Sequence, residues 1–78
     1  MEENYISIFT NYLADMLEQR KIELPVVILL VKEFEAVCDG ITTREKLIEF
    51  LDKYLQGLPA LGGLKLRLQD KTYKFNLK

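Results

Sequence analysis

The stretch LKLRLQDKTYKFNLK, residues 64–78, decides which fold class the sequence predicts. Leucine alternates with lysine or arginine over residues 64–68, and tyrosine, phenylalanine and leucine alternate with lysine and asparagine over residues 73–77. Such alternation is typical of strands with one buried face. A two-residue turn at 70–71, or a four-residue loop over 69–72, pairs the two segments in one register with all their apolar side chains on one face. The sequence therefore predicts an antiparallel β-hairpin.

Upstream of this hairpin, apolar residues recur at the spacing of α-helices. Pro25 suits the first turn of the second helix. Thr42 is the predicted N-cap of the third helix, with Glu45 reaching back as in a capping box. The predicted helices cover about residues 3–20, 25–38 and 43–56, and a linker covers residues 57–63.

The chain is accordingly predicted to be one α+β domain over residues 1–78, in which three helices precede a C-terminal antiparallel β-hairpin over 64–68 and 73–77. The hairpin must pack on the helices, because two strands alone are marginal in water. Whether residues 22–24 add a third strand is left open by the pattern.

Charge is distributed unevenly along the 78 residues, of which 49% are hydrophobic. The formal net charge is −1, yet residues 64–78 carry five basic side chains and one acidic one, a net +4. Residues 1–63 therefore carry −5. Asymmetry of this kind suggests a charged partner, or a basic face that only keeps strand edges from aggregating.

The single cysteine, Cys38, excludes an intramolecular disulfide and favours an intracellular protein. The first residues lack the basic and apolar segments of a signal peptide. The longest apolar run, residues 24–31, is far shorter than the ~20 residues that a membrane helix needs. We expect a cytoplasmic protein without a membrane span.

Residue types that support catalysis are scarce in this sequence. It contains no histidine, and its only serine is Ser7, so a Ser-His or Cys-His pair is excluded. Gly62-Gly63 lacks the lysine and hydroxyl residue that follow the glycines of a phosphate-binding loop. The sequence predicts a protein that is not an enzyme, with no catalytic residue, cofactor or metal site.

Residues 26–31 are apolar on every side of the predicted second helix, which is typical of a helix that is central to its domain or half buried in a neighbour. We therefore expect a small non-enzymatic protein that acts through protein–protein interaction, in a regulatory role, as a homodimer or with another protein. The candidate interaction surface consists of Val27, Ile28, Leu29, Lys65, Arg67, Lys74 and Lys78.

The predicted order of helix, short segment, helix, turn, helix and basic hairpin is similar to that of winged helix-turn-helix domains. Around the turn, Ala36, Gly40, Ile41 and Thr42 match the small, glycine, aliphatic and hydroxyl positions of that family's motif. Glu35, Asp39, Lys46 and Glu49 depart from its apolar positions. The resemblance implies a DNA-binding transcriptional regulator that uses the third helix and the hairpin. Its nucleic-acid contacts would be Arg44, Lys46, Lys65, Arg67, Lys71 and Lys74. This alternative is less favoured, because the charges of the third helix cancel whereas a helix in the major groove normally carries a positive face.

Overall fold

The structure, a computed structural model, describes residues 3–75. Four helices follow one another: α1 (Tyr5–Glu18), α2 (Leu24–Val37), α3 (Arg44–Asp52) and α4 (Gly62–Gln69). Short 3₁₀ turns cover Cys38–Gly40 and Pro59–Leu61. The first three helices lie close to the ranges 3–20, 25–38 and 43–56, and α3 ends four residues before the predicted limit. Residues 3–75 contain no strand.

The predicted α+β class and its β-hairpin are therefore wrong. Residues 64–68 belong to α4, where Leu64 and Leu68 lie one turn apart and are 0% and 2% exposed, while Leu66 points outward and is 68% exposed. An alternation of only five residues is compatible with a helix as well as with a strand. In a helix the first and fifth residues share one face, and the middle leucine is exposed to solvent. Leucine, lysine, arginine and glutamine also favour helices, and α4 has no β-branched residue.

The described part of the second predicted strand, residues 73–75, is not a strand either. α4 ends in a turn in which the N–H of Tyr73 donates to the Asp70 carbonyl over 3.0 Å. The Asp70 carboxylate accepts hydrogen bonds from the backbone N–H and the hydroxyl of Thr72, at 3.0 and 2.6 Å. Residues 73–75 are irregular, and the remainder of the predicted strand lies outside the described residues.

The element order is consequently not that of a winged helix. The hairpin that would form the wing is absent from the described part of the chain, and residues 22–24 are not a strand. Ile22 is buried, Glu23 is the N-cap of α2, and Leu24 is the first residue of that helix. The segment therefore connects α1 to α2 without sheet pairing.

Three phenylalanines, one from each of the first three helices, form the centre of the core. The rings of Phe9 and Phe34 stack with centroids 4.6 Å apart. Phe50 meets both edge-on at 5.5 Å. Each arrangement is one that aromatic pairs prefer. α4 packs on the same core through Leu64 and Leu68, so two of the apolar residues of the predicted hairpin are buried, but on a helix.

The predicted linker is largely structured. Its Leu61 is fully buried, and Gly62 and Gly63 form the first turn of α4. A Cβ added to Gly63 would lie 2.5 Å from the Tyr12 hydroxyl oxygen. That hydroxyl donates to the Ala60 carbonyl. Glycine at position 63 is therefore required by the close approach of α1, not by chain flexibility.

Local hydrogen bonds define how α1 ends and α3 begins. At the end of α1, Arg20 has a φ of 61°, and the N–H groups of Arg20 and Lys21 donate to the carbonyls of Leu17 and Met16. This is a Schellman motif, in which the left-handed position is usually glycine. The N-cap of α3 is Thr43, one residue later than the predicted cap, and its hydroxyl accepts from the Lys46 N–H at 3.1 Å.

Candidate interaction surface

The outward face of α2 is apolar in its first two turns. Leu30 and Phe34 are buried in the core, where Phe34 meets Phe9 of α1 and Phe50 of α3, and Val27 is half buried. Leu24, Ile28 and Leu29 are 53%, 48% and 54% exposed. Of the predicted surface residues, Ile28 and Leu29 are thus presented to solvent, whereas Val27 packs against the core. α2 is not the central helix of the domain, because its outer half has no covering element in the described structure.

Charged residues lie at both ends of this apolar face. Arg20, Lys21 and Glu23 precede the first turns of α2, and all three are exposed. Lys32, Glu33, Glu35 and Asp39 follow the apolar turns and are also exposed. The start of the helix therefore carries one net positive charge and its end carries two net negative charges.

The basic half of the predicted surface lies on a different helix. Lys65 on α4 forms an ion pair with Asp52 of α3, with Nζ and Oδ1 2.7 Å apart. The Arg67 guanidinium lies 5.4 Å from the ring centroid of Tyr12 and 5.7 Å from that of Tyr73, within cation–π range. Lys74 is exposed, and Lys78 lies outside the described residues. α4 packs mainly on α3 and α2 packs on α1, so the basic and the apolar residues of the predicted surface belong to different helix pairs.

Arg44 connects three parts of the chain that are distant in sequence. Its Nε and Nη2 donate to the two carboxylate oxygens of Glu3 at 2.8 and 2.7 Å. Its Nη1 donates to the Asp70 carbonyl at 2.9 Å, and its Nη2 also donates to the Tyr73 carbonyl at 2.6 Å. The guanidinium also lies 5.1 Å from the Phe75 ring centroid. Arg44 is therefore a structural residue, since its donors are engaged within the protein.

The electrostatics of this cluster follow from its hydrogen bonds. Hydrogen bonding from Arg44 is the main reason why the pKa of Glu3 is below its usual value, and it raises the pKa of Arg44 in turn. Hydrogen bonds from Thr72 similarly lower the pKa of Asp70. Burial raises the pKa of Tyr5, and the neighbouring Glu3 charge adds to that effect. The cluster thus favours ionised carboxylates at neutral pH.

We expect Glu3→Gln to lower the free energy of unfolding by about 1 kcal/mol at pH 7, an estimate that allows for screening of a partly exposed pair. A carboxyl whose pKa is lowered on folding stabilises the fold above its unfolded pKa, and that contribution is lost as the pH falls through the folded value. In urea unfolding, the difference from wild type should therefore shrink as the pH is lowered below the usual pKa of a glutamate. Glu49→Gln, which changes an exposed carboxylate on α3, is the control and should have little effect. An equal loss for both variants at pH 7 would contradict the assigned role of Glu3.

The residues predicted to contact nucleic acid are not brought together as a free basic surface. Arg44 is engaged as described, and Lys65 is paired with Asp52. Lys71 and Lys74 are exposed on the segment after α4. Lys46 is exposed on α3, where it borders an open groove of about 390 Å³ together with Lys53, Glu49 and Phe50. The side chains around this groove include both signs of charge, so the groove does not present the uniform positive potential that phosphates attract.

Within residues 3–75, no helix has the length and apolar content needed to cross a bilayer. The same part of the chain contains no group of three or more cysteine or acidic side chains placed to hold a metal ion.

Sequence reasoning missed several residues of the α2 face. The predicted second helix starts after Leu24, Glu35 is interpreted only as a solvated charge, and Lys32 is not part of the predicted surface. The charges are visible in the sequence once the outward direction of Ile28 is known. That direction depends on which side of an all-apolar helix is buried, and helical spacing alone does not specify it.

No known protein family, no curated protein and no solved structure matches this chain.

Proposed function

We propose that this chain is a small non-enzymatic protein of the cytoplasm that acts in a regulatory role through protein–protein interaction, and that it associates with itself through the outward face of α2. The single observation that carries the proposal is the exposure of Leu24, Ile28 and Leu29, each about half accessible to water, on adjacent turns of one helix. Scattered single apolar residues are ordinary on a protein surface, but a contiguous group marks an interaction site.

The size of the domain strengthens this interpretation. A chain of 78 residues buries a smaller fraction of its surface than a larger domain does, so covering an exposed apolar face adds materially to its stability. The mean cost of leaving such side chains in water is ~25 cal/mol per Å² of apolar area. The location in the cytoplasm is supported by Cys38, a free and partly accessible thiol, because reduced cysteines are typical of intracellular proteins.

The surface is small, and this limits the expected affinity. α2 has 14 residues and is about 21 Å long. One helix face of this length buries less area than the roughly 800 Å² per partner of a standard interface. We therefore expect a micromolar dimer, with assembly dependent on concentration.

Sedimentation velocity of the wild type between about 5 and 500 μM should show a shift from 9.1 kDa monomer toward a dimer of twice that mass. Ile28→Glu should remain monomeric over this range, because it places a charge at the centre of the apolar face. Leu66→Glu is the matched control. Leu66 is an exposed leucine in the middle of α4, away from the proposed face, and its replacement should leave the dimer unchanged.

A wild type that stays monomeric at the highest concentration would overturn self-association. A dimer that survives Ile28→Glu but is lost in Leu66→Glu would place the interface on α4 instead. Circular dichroism of each variant shows whether the fold is retained, so that loss of the dimer is not confused with unfolding.

DNA binding by Lys46, Lys71 and Lys74 is the alternative to this proposal. It is weakened by the internal engagement of Arg44 and Lys65. A mobility shift with duplex DNA at about 50 mM salt, where the phosphate contribution is strongest, tests it directly. Binding there that weakens steeply with added salt would favour this alternative.

A further inference from the structure

We infer that two copies of the chain pair their α2 helices antiparallel, about a two-fold axis beside Ile28. This inference rests on the proposed self-association and specifies the partner and its orientation. The charges of this surface favour a second copy as the partner. The surface is complementary to that of another copy when the two helices run in opposite directions, but not when they run in the same direction.

The complementarity comes from the charges at the two ends of α2. The exposed side chains of residues 20–23 carry one net positive charge, and those of residues 32–39 carry two net negative charges. The helix separates these ends by about 20 Å, more than the ~8 Å screening length at physiological salt. Each end therefore interacts chiefly with whichever end of the partner lies beside it.

In an antiparallel pair the positive start of each helix lies beside the negative end of the other, and this happens twice by symmetry. In a parallel pair like charges meet at both ends, which opposes association. The helix dipoles act in the same sense, since the positive N-terminal end of one helix lies beside the negative C-terminal end of the other.

The position of the axis follows from the apolar residues. An axis beside Ile28 places that residue against its own copy, at the centre of the face, and pairs each other residue with one an equal distance away in the opposite direction. Leu24 then lies opposite Lys32 of the second copy, whose aliphatic stem covers the leucine while its ammonium group reaches the region of Glu23. Lys21, in the turn just before α2, lies at the end of the pair that contains Glu35 of the second copy, and opposite charges meet there.

Cysteine cross-linking distinguishes the two orientations. In a Cys38→Ser background, Ile28→Cys should form a disulfide dimer readily under mild copper–phenanthroline oxidation. Leu24→Cys alone and Lys32→Cys alone should not, because two copies of either residue lie about 12 Å apart along the axis, beyond the Cα separation that a disulfide spans. A mixture of these two variants should give the mixed dimer, which intact mass spectrometry identifies.

A parallel dimer predicts the reverse, with each single variant cross-linking to itself and the mixture giving no preference for the mixed species. That result would overturn the antiparallel inference while leaving self-association intact. A dimer in sedimentation that cross-links at none of the three positions would place the interface elsewhere, and both proposals would be wrong. Absence of any dimer in sedimentation would remove the self-association on which the inference depends.

A charge reversal gives a second readout. Lys21→Glu and Glu35→Lys should each weaken the dimer several-fold at low salt, and the double variant should restore wild-type affinity, because each pair then has opposite charges again. Failure of the double variant to recover affinity would contradict the pairing of these two positions.

Discussion

Leu64→Ala should lower the free energy of unfolding by about 3 kcal/mol, whereas Leu66→Ala should change it by less than about 0.5 kcal/mol. Leu64 is fully buried and Leu66 is 68% exposed, although only one residue separates them. Truncating a buried leucine removes its transfer free energy and leaves a cavity, but truncating an exposed one does neither. Urea unfolding monitored by circular dichroism at 222 nm measures both effects.

This pair of substitutions distinguishes the helix from the hairpin that the alternating pattern suggests. In a hairpin the two leucines would share the buried face, so the two losses would be comparable. Equal destabilisation by Leu64→Ala and Leu66→Ala would therefore contradict α4. A domain of this size has a total stability of only a few kcal/mol, so Leu64→Ala is best measured at low temperature or in a stabilising osmolyte.

Gly63→Ala should destabilise the protein by about 1–3 kcal/mol, and Gly62→Ala should stabilise it by up to about 1 kcal/mol. A methyl group on Gly63 would lie 2.5 Å from the Tyr12 hydroxyl oxygen, whereas one on Gly62 would meet Leu55 at an ordinary 3.9 Å. Tyr12 is 5% exposed and donates to the Ala60 carbonyl, so its ring has little room to retreat without losing that hydrogen bond. Gly62 gives only the usual benefit of replacing glycine in a helix.

Thermal unfolding of the two variants beside wild type should therefore show midpoints that move in opposite directions. A further variant, Tyr12→Phe, helps to separate the causes. It removes the hydroxyl that the new methyl group would meet, so Gly63→Ala should cost less in the Tyr12→Phe background than in wild type. Equal costs in both backgrounds would show that the clash is not with that hydroxyl.

The first three helices could be predicted because their apolar residues recur over several turns. In α1, the buried residues Ile8, Phe9, Tyr12, Leu13 and Met16 form a stripe that only a helix places on one side. α4 could not be predicted in this way, since its alternating segment is five residues long and fits two periods equally well. Intrinsic preference was the available clue, because α4 lacks the β-branched residues that are typical of strands.

Contacts between distant residues explain what else the sequence alone does not reveal. Gly62-Gly63 is typical of a linker. Only the close approach of Tyr12 from α1 explains why a helical position, residue 63, is occupied by glycine. Arginine is typical of nucleic-acid contacts, which is why Arg44 is a candidate by sequence. In the structure it bonds to Glu3, and a partner 41 residues away is not visible in the local sequence. The apolar segment at residues 26–31 did indicate an unusual helix, and the structure specifies which of its side chains face water. The function assigned to them remains a prediction.

The Arg44 cluster also affects the order in which contacts form during folding. Its hydrogen bonds join residues between 23 and 41 positions apart, whereas the helices form from bonds between residues four apart. Long loops close late because their entropic cost must be met before their contacts contribute. We expect the cluster to form after the folding transition state, so that its loss in Glu3→Gln should accelerate unfolding and leave the refolding limb of a denaturant chevron nearly unchanged. Arg44 is therefore expected to slow unfolding, and so to prolong the lifetime of the folded chain, without increasing the folding rate.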